Sequence, residues 1–306
     1  MAITAQAVKE LRERTGAGMM DCKKALTETE GDLEKAAEIL RIKGIAKADK
    51  KADRVAAEGL VWTFVSPDHK VGAVVEVNCE TDFVARGDDF GAFVQAIAER
   101  AAATKISDID ALANEAIGDK TIEERRRELI ANIGENITLR RAQVLEATAN
   151  GVVGAYIHGG GSIATLAVLD ADKALSGDER AQTLAKDIAM HIAAFAPEAI
   201  DETQLPAEVV EKERAVLIAQ AEESGKPREI VEKMIDGRIK KWMKDICLIH
   251  QAFVRTDDTT VLQEINALGK ALGGSVKATA MARFVRGEGI EKKSSNLAEE
   301  VAATLG

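Results

Sequence analysis

One pattern constrains this chain more than any other: strand, turn, strand, helix occurs twice. Residues 60–65 and 71–77 are β-rich runs on either side of Ser66-Pro67-Asp68-His69-Lys70, a turn that reads as a hairpin. A helix follows, with Phe90, Phe93, Val94 and Ile97 spaced to share one face. Residues 152–157 and 163–169 repeat the hairpin around Gly159-Gly160-Gly161-Ser162, and the next helix turns Leu184, Ala185, Ile188 and Ile192 inward. A chain built this way is a multidomain α+β protein with two related core subdomains. Between the copies lie a charged helical stretch, 122–133, and a strand, 137–145.

The repeat is flanked by helices. Thr4 caps a first helix with Val8 and Leu11 inward, and Thr15-Gly16-Ala17-Gly18 breaks it. Residues 21–27 make a second helix with Cys22, Ala25 and Leu26 on one side. Gly31-Asp32 starts a third, in which Leu33, Ala36, Ala37 and Leu40 follow helical spacing. The basic, alanine-rich stretch that follows carries Arg41, Lys43, Lys47, Lys50, Lys51 and Arg54. It reads either as a solvated linker helix or as a positive strip for an acidic partner. Beyond Pro197, charged helices at 207–223 and 228–243 are joined by Ser224-Gly225-Lys226-Pro227. Val209, Val210, Val216 and Leu217 can face Ile230, Met234, Ile235 and Trp242, which predicts an antiparallel hairpin inserted in the second subdomain. Core-like residues 247–254, a helix at 261–272 and a strand at 279–285 come next. A final amphipathic segment carries Leu297, Val301 and Leu305.

Composition and motifs exclude several classes of function. With 41 basic and 51 acidic side chains, net −10, the chain lacks the charge for a broad nucleic-acid or anionic-membrane surface. Cys22, Cys79 and Cys247 are far apart and lack any Cys-x-x-Cys spacing, so they read as reduced thiols of a cytosolic protein. Residues 1–4 lead straight into a charged helix and not into a secretory signal, and no apolar run reaches membrane-spanning length. His158-Gly159-Gly160-Gly161 resembles an esterase oxyanion loop, but no Gly-x-Ser-x-Gly elbow accompanies it. No phosphate loop occurs, and His69, His158, His191 and His250 show no metal-ligand spacing. His191, on an otherwise apolar helix face, reads as a core histidine. A thiol hydrolase built from Cys79 and His158 and a purely structural adaptor working through 207–243 remain as alternative classes.

Thr81-Asp82-Phe83-Val84 has two readings. Only 3% of the residues are aromatic, yet Phe83 falls in what reads as a loop between the end of a strand and the helix opened by Asp88 and Asp89. A ring presented on a loop suits insertion into another protein. Folded back, the same ring would cover the end of the sheet.

Several stretches are similar to one family. The run from Lys9 through Thr15-Gly16-Ala17-Gly18-Met19-Met20-Asp21-Cys22 to Leu26, and Asn78-Cys79-Glu80-Thr81-Asp82-Phe83-Val84-Ala85 with Phe90 after it, resemble two signatures of the elongation factor Ts family. Tyr156-x-His158-Gly159, Met190-His191 and Ser224-Gly225-Lys226-Pro227 fit as well. Gln251-Ala252-Phe253 departs from the family, which often has proline before the aromatic. The resemblance implies a guanine-nucleotide exchange factor that binds elongation factor Tu in translation, performs no bond chemistry, and needs no cofactor, nucleic acid or membrane. It implies a ubiquitin-associated-like module with its linker at 1–55 and core subdomains at 56–147 and at 148–200 with 246–285. It also implies a coiled-coil hairpin at 201–245 and a C-terminal module at 286–306. Its site residues would be Thr81, Asp82, Phe83 and Val84, which dislodge magnesium in the partner, together with the contacts Arg12, Met19, Met20 and His158.

Overall fold

The computed structural model describes residues 3–175, 177–222 and 228–291, with side chains described at all of these except 222 and 228–233. The chain divides into two compact units. One takes the residues up to Trp62, Val75–Ala142 and those from Phe284 on, and the other takes Thr63–Val74 and Gln143–Arg283. The expected segment of Leu297, Val301 and Leu305 lies outside the described residues, as does the side chain of Ile230.

The first unit begins with α1 (Ala5–Thr15), α2 (Met19–Glu28) and α3 (Leu33–Asp49). Thr4 caps α1 by accepting from the Ala7 amide at 3.2 Å, and Gly16 ends it at φ +66°, a conformation that favours glycine. Val8, Leu11, Cys22, Ala25, Leu26 and Ala36 close a small core of their own. The basic stretch is not a separate linker: α3 runs through it to Asp49 and packs along α7. Gly44 allows the approach, since a methyl group there would sit 3.3 Å from the Ala131 methyl. Five of the stretch's six cations are engaged inside the chain, Arg41 with Glu38, Lys43 with Glu28, Lys47 with Asp21 and Arg54 with Glu80, while Lys51 donates to the Gly134 carbonyl.

Next come β1 (Glu58–Val65), β2 (Val71–Cys79), α4 (Asp82–Ala85), α5 (Asp88–Thr104) and α6 (Ile109–Ala113). They are followed by β3 (Ala116–Ile117), β4 (Lys120–Thr121), α7 (Ile122–Ile133) and β5 (Ile137–Glu146). The sheet order is β1-β2-β5, with β3-β4 a separate two-stranded ribbon. Phe90, Phe93, Val94 and Ile97 of α5 are buried as their spacing predicts. The Thr121–Glu124 capping box starts α7 at Ile122, the first residue of the expected stretch, and Gly134 at φ +88° ends it. Glu76 on β2 is a fully buried carboxylate. It accepts from Arg140 Nη1 at 2.9 Å, Arg141 Nε at 2.6 Å and the Gly287 amide at 2.7 Å.

The second unit holds β6 (Val152–His158), β7 (Ile163–Ala171), α8 (Glu179–Phe195), α9 (Ala207–Glu222), α10 (Arg228–Ile246), α11 (Val261–Leu272) and most of β8 (Val276–Val285). Its sheet runs β6-β7-β8, and β6 and β7 are antiparallel with Val152 opposite Leu169 and His158 opposite Ile163. Ala185, Ile188 and Ile192 of α8 pack with Leu169, Ile265 and Val276 in one core. The tip of the first hairpin belongs to this unit, where Lys70 Nζ donates to the carbonyls of Ala149 and Gly151. Residues 251–253 are not a core strand. A 3₁₀ turn at Leu248–His250 leads to a single bridge, Ala252 to Thr260, that leaves Phe253 buried.

Helices α9 and α10 pack on each other through Leu217, Ile235 and Ile239, with Val210 and Met243 at the edge. The expected face is corrected in part, because Val216 and Met234 are exposed while Ile239 and Met243 do the packing. This small cluster is separate from the unit's main core. Replacing residues 207–243 by a short Gly-Ser linker is therefore expected to leave the remainder cooperatively folded. Calorimetry should show a midpoint shift of at most about 4 °C, roughly 1 kcal/mol at this size, whereas loss of the cooperative transition would place the pair in the core.

Candidate partner-binding surfaces

The segment after β2 is one turn of helix, not the expected loop. Thr81 caps α4, its hydroxyl oxygen accepting from the Val84 amide at 3.4 Å. The Thr81 hydroxyl donates to Glu135 Oε1 at 2.6 Å and its amide donates to Glu135 Oε2 at 2.9 Å, a two-point brace from a residue two positions before β5. Next to it the Asn136 amide donates to Glu80 Oε1 at 2.6 Å. Ala85 is buried and pins the far end of the turn. Held at both ends, the turn exposes 84% of Phe83. The ring does not cover the sheet. Asp82 pairs with Arg86 at 2.8 Å, one turn along and exposed. Glu135 is a supporting residue the sequence did not reveal; it lies 54 positions from Thr81 in a charged segment where nothing marks it out.

The neighbouring thiol is no nucleophile. Cys79 is fully buried and its Sγ donates to the Thr81 carbonyl at 3.2 Å. Burial first, then the nearby Glu135 and Glu58 carboxylates, push its pKa up to about 12, so it stays protonated at neutral pH. Cys247 is likewise buried and pushed up to about 11. Among the described residues no group of three His, Cys, Asp or Glu side chains could hold a metal ion. No described helix is long and apolar enough to cross a membrane. A cleft of about 790 Å³ between α3 and α7 is lined by charges that pair with one another, among them Arg14 with Glu34 and Arg127 with Glu123.

On the helical module, Arg12 is exposed on α1, and Met19 and Met20 open α2 with 60% and 65% of their surface in solvent. Gly18 caps that helix without a side-chain hydrogen bond, so α2 starts at Met19 and its first turn carries two bare thioethers. Flexible, polarisable methionines at a helix start suit a protein contact.

His158, in the second unit, is the exposed last residue of β6. Its Nδ1 lies 3.3 Å from the Tyr156 hydroxyl. Gly159, Gly160 and Gly161 all have positive φ and turn the chain sharply, while Ser162 returns hydrogen bonds from its amide and hydroxyl to the His158 carbonyl, both at 3.1 Å. The imidazole is thus carried on a tightly tied strand end. His191 is fully buried in this unit as its apolar helix face predicts, with Nε2 donating to Gln251 Oε1 at 2.9 Å.

Each surface is an exposed side chain on a rigid mount, as suits recognition of another protein. Comparison with known proteins agrees in kind. The family model described as elongation factor TS matches residues 80–288. An elongation factor Ts of Clostridium botulinum is 50% identical over 305 residues, 99% of each chain. That of Thioalkalivibrio sulfidiphilus is 51% identical over 304 residues, 99% of this chain and 98% of its own. With half its residues shared over nearly its whole length, the chain belongs to the elongation factor Ts family.

Proposed function

We propose that this chain is the guanine-nucleotide exchange factor of elongation factor Tu, acting in the cytoplasm during translation elongation. One observation supports this most: Phe83, a scarce aromatic, stands 84% exposed on a turn braced at both ends. Such a ring loses little conformational freedom when it enters a partner, which is what a binding anchor requires. A bound GDP depends on backbone amides around its phosphates and on a coordinated magnesium. A wedge of Thr81, Asp82, Phe83 and Val84 shifts those groups, dislodges the magnesium and lowers the affinity for GDP. Linkage makes the effect reciprocal, so an incoming nucleotide expels the exchange factor. The strain is placed on the partner, and the chain needs no nucleotide site or cofactor of its own.

The other parts take roles on the same reading. Residues 1–55, a ubiquitin-associated-like module continued by its basic stretch, dock on the partner through Arg12, Met19 and Met20. The core subdomains, 56–147 and 148–200 with 246–285, present Phe83 and His158 respectively. Residues 201–245 form the antiparallel coiled-coil hairpin, and 286–306 the C-terminal module. The test is release of labelled GDP from elongation factor Tu. Wild-type chain should accelerate it, and unchanged release at saturating concentration would overturn the reading.

The methionines supply affinity and not exchange. Met19→Ser with Met20→Ser is expected to raise Kd for the GDP-bound partner about tenfold, with exchange at saturation close to wild type. Titration calorimetry and stopped-flow release measure the two quantities. Unchanged affinity would remove the module from the interface.

A further inference from the structure

Phe195 closes α8 with 51% of its surface exposed, and beside Phe83 it is the other aromatic that stands out into solvent among the described residues. Its ring is not loose. It stacks on the His191 imidazole with centroids 4.6 Å apart and planes tilted by 23°. His191 lies in turn against the buried Phe253 ring, 6.4 Å away and 16° from parallel. The middle ring of this stack is fixed from below. His191 Nε2 is bonded to Gln251 Oε1, and the Gln251 amide donates to the Asp245 carbonyl at 2.8 Å. His191 Nδ1 is buried and has no hydrogen-bond partner. Burial holds the His191 pKa below its ordinary value, against the opposing bond to Gln251, so the stack is uncharged at neutral pH.

The register of β6 under α8 shows where this stack ends. Gly154, Tyr156 and His158 alternate onto one face of β6. That face meets α8, because a methyl group on Gly154 would lie 2.2 Å from the Ala185 carbonyl carbon. Two residues along, the strand position of Tyr156 is paired with Thr165, whose hydroxyl donates to the Ala189 carbonyl at 2.6 Å. Two strand residues and four helical residues each advance about 6–7 Å. One further step brings His158 level with the last turn of α8, which Phe195 closes. His158 and Phe195 therefore lie toward the same end of this unit. An apolar ring and a polar imidazole, each on a rigid mount, supply the two elements of an anchor patch, an apolar centre beside a hydrogen-bonding edge.

We propose that Phe195 is a second aromatic anchor for elongation factor Tu, forming with His158 one contact patch on the second unit. The inference rests on the exchange-factor reading, and His158 supplies the continuity with that interface. The patch calls for an apolar depression on the partner with a hydrogen-bonding group at its rim. Its contribution is to holding the partner, since the nucleotide-displacing wedge is assigned to Phe83.

The test uses the full chain with Phe195→Ser and Phe195→Tyr. Phe195→Ser should raise Kd for the partner about tenfold, with exchange at saturation unchanged, while Phe195→Tyr keeps the ring and stays near wild type. Because the ring is half exposed, the melting temperature of both variants should stay close to that of the parent. Wild-type affinity in Phe195→Ser overturns the proposal. So does a large fall in melting temperature with unaltered affinity of the folded protein, which would make the ring a structural cover for His191. Sedimentation is run in parallel, and a change of self-association without a change of partner affinity would assign the patch to a second copy of the chain. If wild type itself fails to bind elongation factor Tu, the functional reading falls; if wild type binds and Phe195→Ser equals it, only this inference does.

Discussion

Phe83→Ala is expected to leave the fold nearly intact and to slow GDP release from elongation factor Tu by roughly thirtyfold or more. Truncating a buried aromatic anchor at an interface commonly costs about 2 kcal/mol or more, and each 1.4 kcal/mol is about a factor of ten. The fold should tolerate the change because the ring is 84% exposed and the turn is held by Thr81, Glu135 and Ala85. The loss should fall on the exchange rate more than on the affinity, since the wedge acts on the distorted state of the partner. Asp82→Ala should give a weaker form of the same defect. A core phenylalanine would behave in the opposite way, costing roughly 3–5 kcal/mol of stability on truncation. Thermal unfolding and release kinetics on one variant separate the two, and a large fall in melting temperature with normal exchange would sink the wedge.

Glu76→Ala should be the most damaging change to stability. The carboxylate is fully buried and satisfies Arg140, Arg141 and the Gly287 amide at once. The Arg141 guanidinium is further committed, lying 4.2 Å from the centroid of the Phe284 ring and donating to the Val285 carbonyl. Removing the acid leaves two cations facing each other over an unfilled site. Breaking such a pair from one side typically costs about 3–5 kcal/mol. The pH dependence has a definite sign. Burial works to raise the Glu76 pKa, but the Gly287 amide, the two arginines and Asn78 together hold it below the ordinary carboxylate value. A lowered pKa contributes stability that is complete above the unfolded-state pKa and is lost as pH falls through the folded one. Urea unfolding of wild type should therefore weaken with acid, and the variant should start lower and lose less over the same range. Equal acid slopes would show that Glu76 is not the responsible group.

The two-copy strand and helix pattern was legible because long elements with strong periodicity announce themselves. Helix α7 and strand β5 fall where the residues place them, within one position of the expected ends. The one-turn helix at Asp82–Ala85 was not legible, since four residues are too few to show a helical period and the Thr81 cap decides the matter. The continuation of α3 was hidden for another reason. Its contact with α7 is made by Gly44 and Ala131, small residues that leave no apolar stripe to read. Exposure was the least accessible quantity. Hydrophobicity alone argues for burying Phe83, and the brace that lifts it out comes from Glu135, distant in sequence. Phe195 falls at helical spacing from Ile188 and Ile192 and would be read as the end of the same buried face, yet half of its surface is exposed.

The unbroken course of α3 sets the angular phase of the helical module. A flexible tether would let the module turn freely and would absorb changes of length. A continuous helix seated along α7 does neither, because each residue added or removed before the seat rotates everything ahead of it by about 100° and shifts it about 1.5 Å. Met19 and Met20 would then point to another quarter of the compass with their own module untouched. The alanines and lysines of this stretch look interchangeable one by one, but their number is not free.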